Sequence, residues 1–332
     1  MRDVAEHAGV STASVSNFLN NPGRLTEATR TRIDKSIQEL GWVPNSAARQ
    51  LRVGTNSTVG YVTFELTNAH SVEIANGIER TLAAHGMYLL IANDNGSSER
   101  ECDYLKMFEM QRVRGLIVGP IGDIDEQLEQ MRRRGTPSVL SGRQSSNPNQ
   151  PYVSIDDVLG GELAVRHLLE TGKRRIAFIG SSLDLRQVGD RMRGALRAVQ
   201  TVPGASLQFI SAAERTVQNG RQAASELLSR PKDTWPDGIF CANDLLAIGV
   251  LQHIALDSSV RVPHDIAVVG YDDIEFAASN LIPLTSIRIP HEQLGKAVAD
   301  ILLNELADTP IADGVRQIET QPELIVRESS RA

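Results

Sequence analysis

From Thr58 onward, short runs rich in β-branched residues alternate with longer stretches whose apolar positions recur every three or four residues. TVGYVTF (58–64), YLLIA (88–92), GLIV (115–118), PSVL (137–140) and YVSI (152–155) predict one series of strands. RIAFI (175–179), SLQFI (206–210), DGIF (237–240) and IAVV (266–269) predict a second. Helices are expected between them at about 70–86, 98–112, 123–134, 158–171, 186–200, 216–230 and 242–256. Such alternation builds βαβ units around parallel sheets. Nine strands in two runs fit two doubly wound subdomains better than one very wide sheet. In that architecture the ligand crevice lies beyond the carboxyl ends of the strands, and two facing crevices form a cleft that closes about a hinge.

The first 40 residues have a different pattern. Three short helices are predicted at roughly 2–8, 12–20 and 26–40, the last with an apolar stripe of Ile33, Ile37 and Leu40. Ala5 and Val15 are small enough for two short helices to cross closely, with Val10 filling the corner. Gly9 suits the left-handed end of the first helix, Ser11 the N-cap of the second, and Gly41 the end of the third. This is a helix-turn-helix, whose second helix enters a DNA major groove. Thr12, Ala13, Ser16, Asn17 and Asn20 are its groove-facing candidates: hydroxyls and amides bond base edges or phosphates, and Asn17 suits a paired contact with adenine. The competing reading is a solvated surface helix.

The chain has 332 residues, 41% hydrophobic and 23% charged, which is ordinary for a globular protein. The length suggests two or three domains. No apolar run approaches a bilayer span and no basic-then-apolar leader is seen, so neither membrane insertion nor secretion is expected. The net charge of −7 argues against nucleic acid only if averaged. Residues 1–52 carry seven basic and five acidic side chains, leaving −9 on the rest. Cys102 and Cys241 have no metal-ligand spacing and read as small buried hydrophobes.

DVAEHAGVSTASVSNFLNN (3–21) and the following LTEATRTRIDKSIQELGWVPNSAARQLR resemble the DNA-binding head of the LacI/GalR family of bacterial transcription regulators. The resemblance continues through GIER (77–80), RVRGLIV (112–118), GGELAVRHLLETGKRRIAFIG (160–180), CANDLLAIGVL (241–251), VVGYDDIEFAA (268–278) and LTSIR (284–288), so it covers essentially the whole chain. It implies a small all-α head followed by two doubly wound α/β subdomains of periplasmic-binding-protein-like fold. The implied domains are a helix-turn-helix at 1–44, a hinge helix and linker at 45–57, and an effector-binding and dimerisation body at 58–332. Within the body, 58–155 and 288–315 would form one subdomain, and 156–287 and 316–327 the other. The resemblance makes 45–52 a helix that forms on DNA, with Leu51 as a minor-groove wedge supported by Asn45, Ala48 and Arg49. Alone, so short a helix is largely unfolded in water, and Leu51 packing on the body is the other reading.

Arg191 matches the family's effector-contacting arginine. Asn243 and Asp272 follow strands, and together the three suit a polyol or sugar, whose hydroxyls need donors and acceptors. Asp244 could equally cap a helix and Asp273 close a turn. Ser141 and Asn95 also follow strand ends. His70 stands where the family often has an aromatic, and His291 where a pocket aromatic can occur. Asn17 replaces a frequent arginine, so operator preference is not transferable from relatives. The implied function is an effector-controlled repressor: a homodimer on a near-palindromic double-stranded operator, in the cytoplasm, without cofactor or metal. The chain shows no G-x-G-x-x-G after the first strand, no Walker pattern, no G-x-S-x-G and no metal-spaced histidines, which argues against an enzyme. A transporter's solute-binding protein shares the body fold, but the fused head counts against it. No C-terminal heptads are seen, so a dimer is expected rather than a coiled-coil tetramer.

Overall fold

The computed structural model describes residues 1–42, 56–307 and 316–331. They fall into two compact units, Met1–Asn56 and Ser57–Ala332. In the first, α1 (Arg2–Ala8), α2 (Thr12–Asn20) and α3 (Glu27–Leu40) occupy the expected stretches. Gly9 ends α1 with φ 61° and Gly41 ends α3 with φ 56°, the left-handed backbone that glycine adopts without steric cost. Ser11 Oγ accepts the Ser14 N–H at 3.1 Å, capping α2. Val4, Ala5, Ala8, Val15 and Ile33 are buried where the helices meet. So few side chains bury little apolar surface, and caps worth about 1 kcal/mol each are a large share of this unit's stability.

The body holds two six-stranded sheets. The first has the order β11-β5-β4-β3-β1-β2, from β1 (Thr58–Thr63), β2 (Tyr88–Asn93), β3 (Gly115–Val118), β4 (Ser138–Ser141), β5 (Tyr152–Ile155) and β11 (Gln317–Thr320). The second has the order β12-β10-β9-β8-β6-β7, from β6 (Arg175–Gly180), β7 (Ser206–Ser211), β8 (Gly238–Cys241), β9 (Ala267–Asp272), β10 (Thr285–Arg288) and β12 (Glu323–Ile325). All pairings are parallel except β10 with β12. The nine expected strands are present, and β10, β11 and β12 are additional.

Around the sheets lie α4 (Ala69–Ala83), α5 (Ser98–Met110), α6 (Asp125–Arg133), α7 (Asp157–Glu170), α8 (Arg186–Gln200), α9 (Val217–Leu228), α10 (Asp244–Asp257), α11 (Glu275–Ser279) and α12 (His291–Glu305). The last two are not among the helices that the sequence pattern predicts. Chain crossings between the halves fall after β5, after β10 and between β11 and β12. The expected boundary at 316 therefore needs correction: β11 pairs with β5 in the first sheet, Gln317 opposite Tyr152, and only β12 returns to the second. The last crossing falls at 320–323, because the pairing partner rather than sequence position decides which sheet claims a short strand.

The core of the second half holds a cluster of aromatic rings. Phe178 and Phe240 stack with centroids 4.8 Å apart, beneath fully buried Tyr271. Helices α7 and α8 cross at Gly161 and Gly194, where a side chain on either would collide with the other helix's backbone, at Arg191 and Val158. That close approach brings α8, and Arg191 with it, against the start of α7.

Candidate functional site

On α2, Thr12, Ala13, Ser16, Asn17 and Asn20 share one helical face, opposite buried Val15. Thr12, Ala13 and Asn20 are exposed, Ser16 and Asn17 half-buried. Asn20 Nδ2 donates to the Ser16 carbonyl at 2.9 Å, so part of its amide is committed to its own helix. The stretch presents hydroxyl and amide groups with one methyl, a surface able to exchange hydrogen bonds with base edges. Asn45, Ala48, Arg49 and Leu51 lie outside the described residues.

In the body, a cleft of about 180 Å³ opens at the carboxyl ends of β1, β3, β4 and β9 and at the start of α8. In each sheet the order 2-1-3 or 7-6-8 reverses direction at the first strand, the switch point where such folds bind ligands. Arg191, Asp272, His70, His291 and Ser141 all line this cleft. Tyr61 donates to it a phenol whose hydroxyl hydrogen-bonds Thr63 and Ser141 and whose pKa burial pushes up to about 12.

Asp272 sits at a backbone corner. It and Asp273 have φ of 104° and 56°, a region costing a non-glycine residue about 1–3 kcal/mol. Neighbouring groups hold the corner. His291 Nε2 donates to the Asp272 carbonyl at 2.9 Å, the Asp273 N–H to Ser286 Oγ at 3.1 Å, and the Ile274 N–H to Asp244 at 2.9 Å. Arg288 and Arg327 pair with the Asp273 carboxylate at 2.7 and 2.6 Å. The Asp272 carboxylate accepts from Asn68 Nδ2 at 3.3 Å and lies 3.6 Å from His70 Nδ1. The rings of His70 and His291 are 5.5 Å apart. Burial drives the His70 pKa down to about 4 against the pull of Asp272, which keeps the ring neutral.

Arg191 is buried between protein groups. Its Nε donates to Asp157 Oδ1 at 2.8 Å, its Nη1 to the Ala242 carbonyl, and its guanidinium lies 3.5 Å from the Tyr271 ring centroid. Tyr271 also donates its hydroxyl to Asp157, at 2.8 Å. Burial alone would lower the Arg191 pKa, but Asp157, Tyr271 and Asp272 outweigh it and raise it, so the cation persists. Nε and Nη1 are the donors that these bonds use.

Two expected residues are elsewhere. Asn243 is the N-cap of α10: its Oδ1 accepts the Leu246 N–H at 3.1 Å and its Nδ2 donates to the Arg215 carbonyl. It does not line the cleft, and the cap expected of Asp244 is made by its neighbour. Asn95 is exposed at the end of the edge strand β2, accepting from Asn93 Nδ2 at 2.6 Å, also outside the cleft. Sequence reasoning missed Asp157, which lines the cleft just beyond β5, and Asn68, the N-cap of α4 that bonds Asp272. No group of three or more His, Cys, Asp or Glu among the described residues could hold a metal.

The sequence matches the "Bacterial regulatory proteins, lacI family" over residues 1–45 and the "Periplasmic binding protein-like domain" over 165–330. It is 33% identical to the "HTH-type transcriptional repressor PurR" of Aliivibrio fischeri (strain MJ11), across 99% of this chain and 97% of that one. Among solved structures it is similar to the "transcriptional regulator CelR-cellobiose complex", with 30% identity, 99% of both chains covered and TM-score 0.69. It is also similar to the lac repressor dimer bound to operator and the anti-inducer ONPF, with 25% identity, 99% and 98% covered and TM-score 0.81. With its helix-turn-helix head, its paired parallel sheets and these matches along its length, the chain belongs to the LacI family of bacterial regulatory proteins.

Proposed function

We propose that this protein is a sequence-specific transcriptional repressor whose operator affinity is set by a small polar effector, a sugar or related metabolite, bound in the body's cleft. The observation that carries the reading is that Arg191 and Asp272 both line that cleft, in a chain that also carries a helix-turn-helix. The relatives support it: one is named a repressor, one holds cellobiose, one is a dimer on operator DNA. The two-fold repeat of a homodimer would match a near-palindromic operator. Tyr88, Phe276 and Leu281 are large side chains left exposed on the body and are the contacts proposed for pairing. Such a regulator works on DNA in the cytoplasm and performs no catalysis.

Effector binding shifts operator affinity only through unequal affinity for the cleft's open and closed forms. A coupling of about 1–3 kcal/mol changes operator affinity about 5–150-fold. Residues 43–55, which include the proposed minor-groove residues Asn45, Ala48, Arg49 and Leu51, join the two units and carry that coupling. Footprinting on DNA upstream of the protein's own coding sequence, repeated at rising salt, tests the DNA reading. Affinity should fall steeply with salt. Binding that is absent, or indifferent to both salt and sequence, would reject it.

A further inference from the structure

The chain crossings that join the two halves of the body leave from one side. β5 and β11 lie at one edge of the first sheet, and β10 and β12 at one edge of the second. Glu65 and Arg215 sit far from that side. Glu65 follows β1, three strand spacings from β5, and Arg215 follows β7, four from β10, or about 14 and 19 Å at about 4.8 Å per spacing. Their 2.7 Å ion pair therefore bridges the halves where a hinge motion is widest. A rotation of about 15° moves a group on the shorter arm by about 4 Å, which takes the pair out of hydrogen-bond reach. Asn68 and His70 also reach across the halves, but to Asp272, which ends β9 beside β10, where the arm is short. Arg186 reaches the Gln144 carbonyl at 3.4 Å, from an exposed side chain.

Both partners are firmly mounted. Asn243 Nδ2 donates to the Arg215 carbonyl at 3.1 Å, and the next residue, Thr216, caps α9. Glu65 stands between the end of β1 and Asn68, the cap of α4. The Arg215 and Glu65 side chains are only 10% and 15% exposed. Burial raises the Glu65 pKa, Arg215 opposes that rise, and Asp272 and Glu214 add to it, so Arg215 is the cation on which the Glu65 charge depends. Neither residue lines the cleft, but Phe64 does, with the Arg215 guanidinium 5.1 Å from its ring centroid.

We propose that Glu65 and Arg215 form a latch between the halves: while each charge compensates the other the body rests closed, and neutralising either one drives it open. A buried charge that has lost its partner is strongly unfavourable. Opening the hinge hydrates that charge without unfolding either half. Removing both charges leaves nothing to hydrate, so the double substitution should not open the body as either single one does. What the latch means for an effector rests on the reading of the cleft given above. The latch itself is tested without one, so the two stand or fall separately.

The test reads closure directly. Nitroxide labels are placed on Glu99→Cys and Gln218→Cys, exposed positions in the first turns of α5 and α9, one in each half. The full chain carries Cys102→Ser as background, and buried Cys241 stays unlabelled. An excess of unlabelled chain keeps each pair of spins within one subunit. Pulsed dipolar spectroscopy should give one narrow distance for the parent. Glu65→Gln and Arg215→Gln, made separately, should shift the distribution by about 4 Å or more, with the closed-to-open ratio falling about tenfold or more. Glu65→Gln/Arg215→Gln should return toward the parent distance. Glu65→Asp keeps the charge on a shorter stem and should fall between the parent and Glu65→Gln, which keeps the test available if the other variants fold poorly. Parental distances in every variant, even with lower melting temperatures, would reduce the pair to a structural tie and overturn the latch. Opening in the double variant as wide as in the single ones would overturn it too, because charge compensation would not be what closes the halves.

Discussion

Arg215 Nη2 lies 2.7 Å from the Glu65 carboxylate, tying the loop before α9 to the chain just beyond β1. The guanidinium also sits 5.1 Å from the centroid of Phe64, a cleft residue. Both charged side chains are mostly buried, so losing either strands the other in a poor solvent. Glu65→Ala should cost about 3 kcal/mol in urea unfolding, and Glu65→Ala/Arg215→Ala less than the sum of the two single losses. Strict additivity would show that the two groups do not interact in solution.

Arg191, the proposed ligand donor, is also a structural cation. Arg191→Ala leaves Asp157 buried and unpaired, and should destabilise the body by about 3–5 kcal/mol as well as abolish effector binding. Arg191→Lys should not rescue it, because an ammonium cannot bond Asp157 and the Ala242 carbonyl in one plane while stacking on Tyr271. Thermal denaturation without effector separates this from binding: an unchanged melting temperature in Arg191→Ala would contradict the buried tie. Asp272→Asn is the cleaner probe of binding alone.

The pH dependence of His70 has a definite sign. A histidine in the unfolded chain titrates near 6.5, and in the folded protein His70 titrates at about 4. Between those values the unfolded state binds a proton that the folded state does not, so stability falls as pH drops through that window. The full shift corresponds to about 3 kcal/mol. Asp94 and Glu101, raised to about 6 by burial, slope the other way over part of the same range. The difference between wild type and His70→Gln cancels them. Unfolding free energies measured from pH 7 to 4 should show that difference growing toward acid in the mutant's favour, and a flat difference would place the His70 titration back near its ordinary value.

On the head, Ser11→Ala and Asn17→Ala should fail in different ways. Ser11→Ala removes the α2 cap and should cost about 1 kcal/mol of stability, weakening all DNA alike. Asn17→Ala should lose about 1–3 kcal/mol at one base position and relax discrimination there. Binding-site selection with each variant reads the difference directly. An unaltered preference in Asn17→Ala would remove that side chain from base recognition.

What the sequence pattern could and could not reveal follows from the range of the forces involved. Gly9, Ser11 and Gly41 act on their own turns, so their roles were readable from their neighbours. Strands such as RIAFI announce themselves by β-branching and burial. QIET and ELI do not: they are short and half polar, and become strands only by pairing with Tyr152–Ile155 and Ser286–Arg288. Arg191 and Asp272 were legible by position, yet the burial of Arg191 against Asp157 and Tyr271 was not, because those partners are distant in sequence. Asn95 failed because a strand-end rule applies only near the switch point, and β2 is the sheet's outer strand. Asn243 failed because either of two adjacent polar residues could serve as the cap.

The route of the chain also sets a timetable for synthesis. β5 is complete at Ile155, but its neighbour β11 begins at Gln317. At 5–20 residues per second, about ten to thirty seconds pass on the ribosome before that neighbour is made. Throughout that interval the outer edge of β5 is an unpaired row of amides and carbonyls, a template for strands of other nascent chains. The first half is not complete until Thr320 and the second not until Ile325, and slower translation across 156–316 prolongs the exposure of β5.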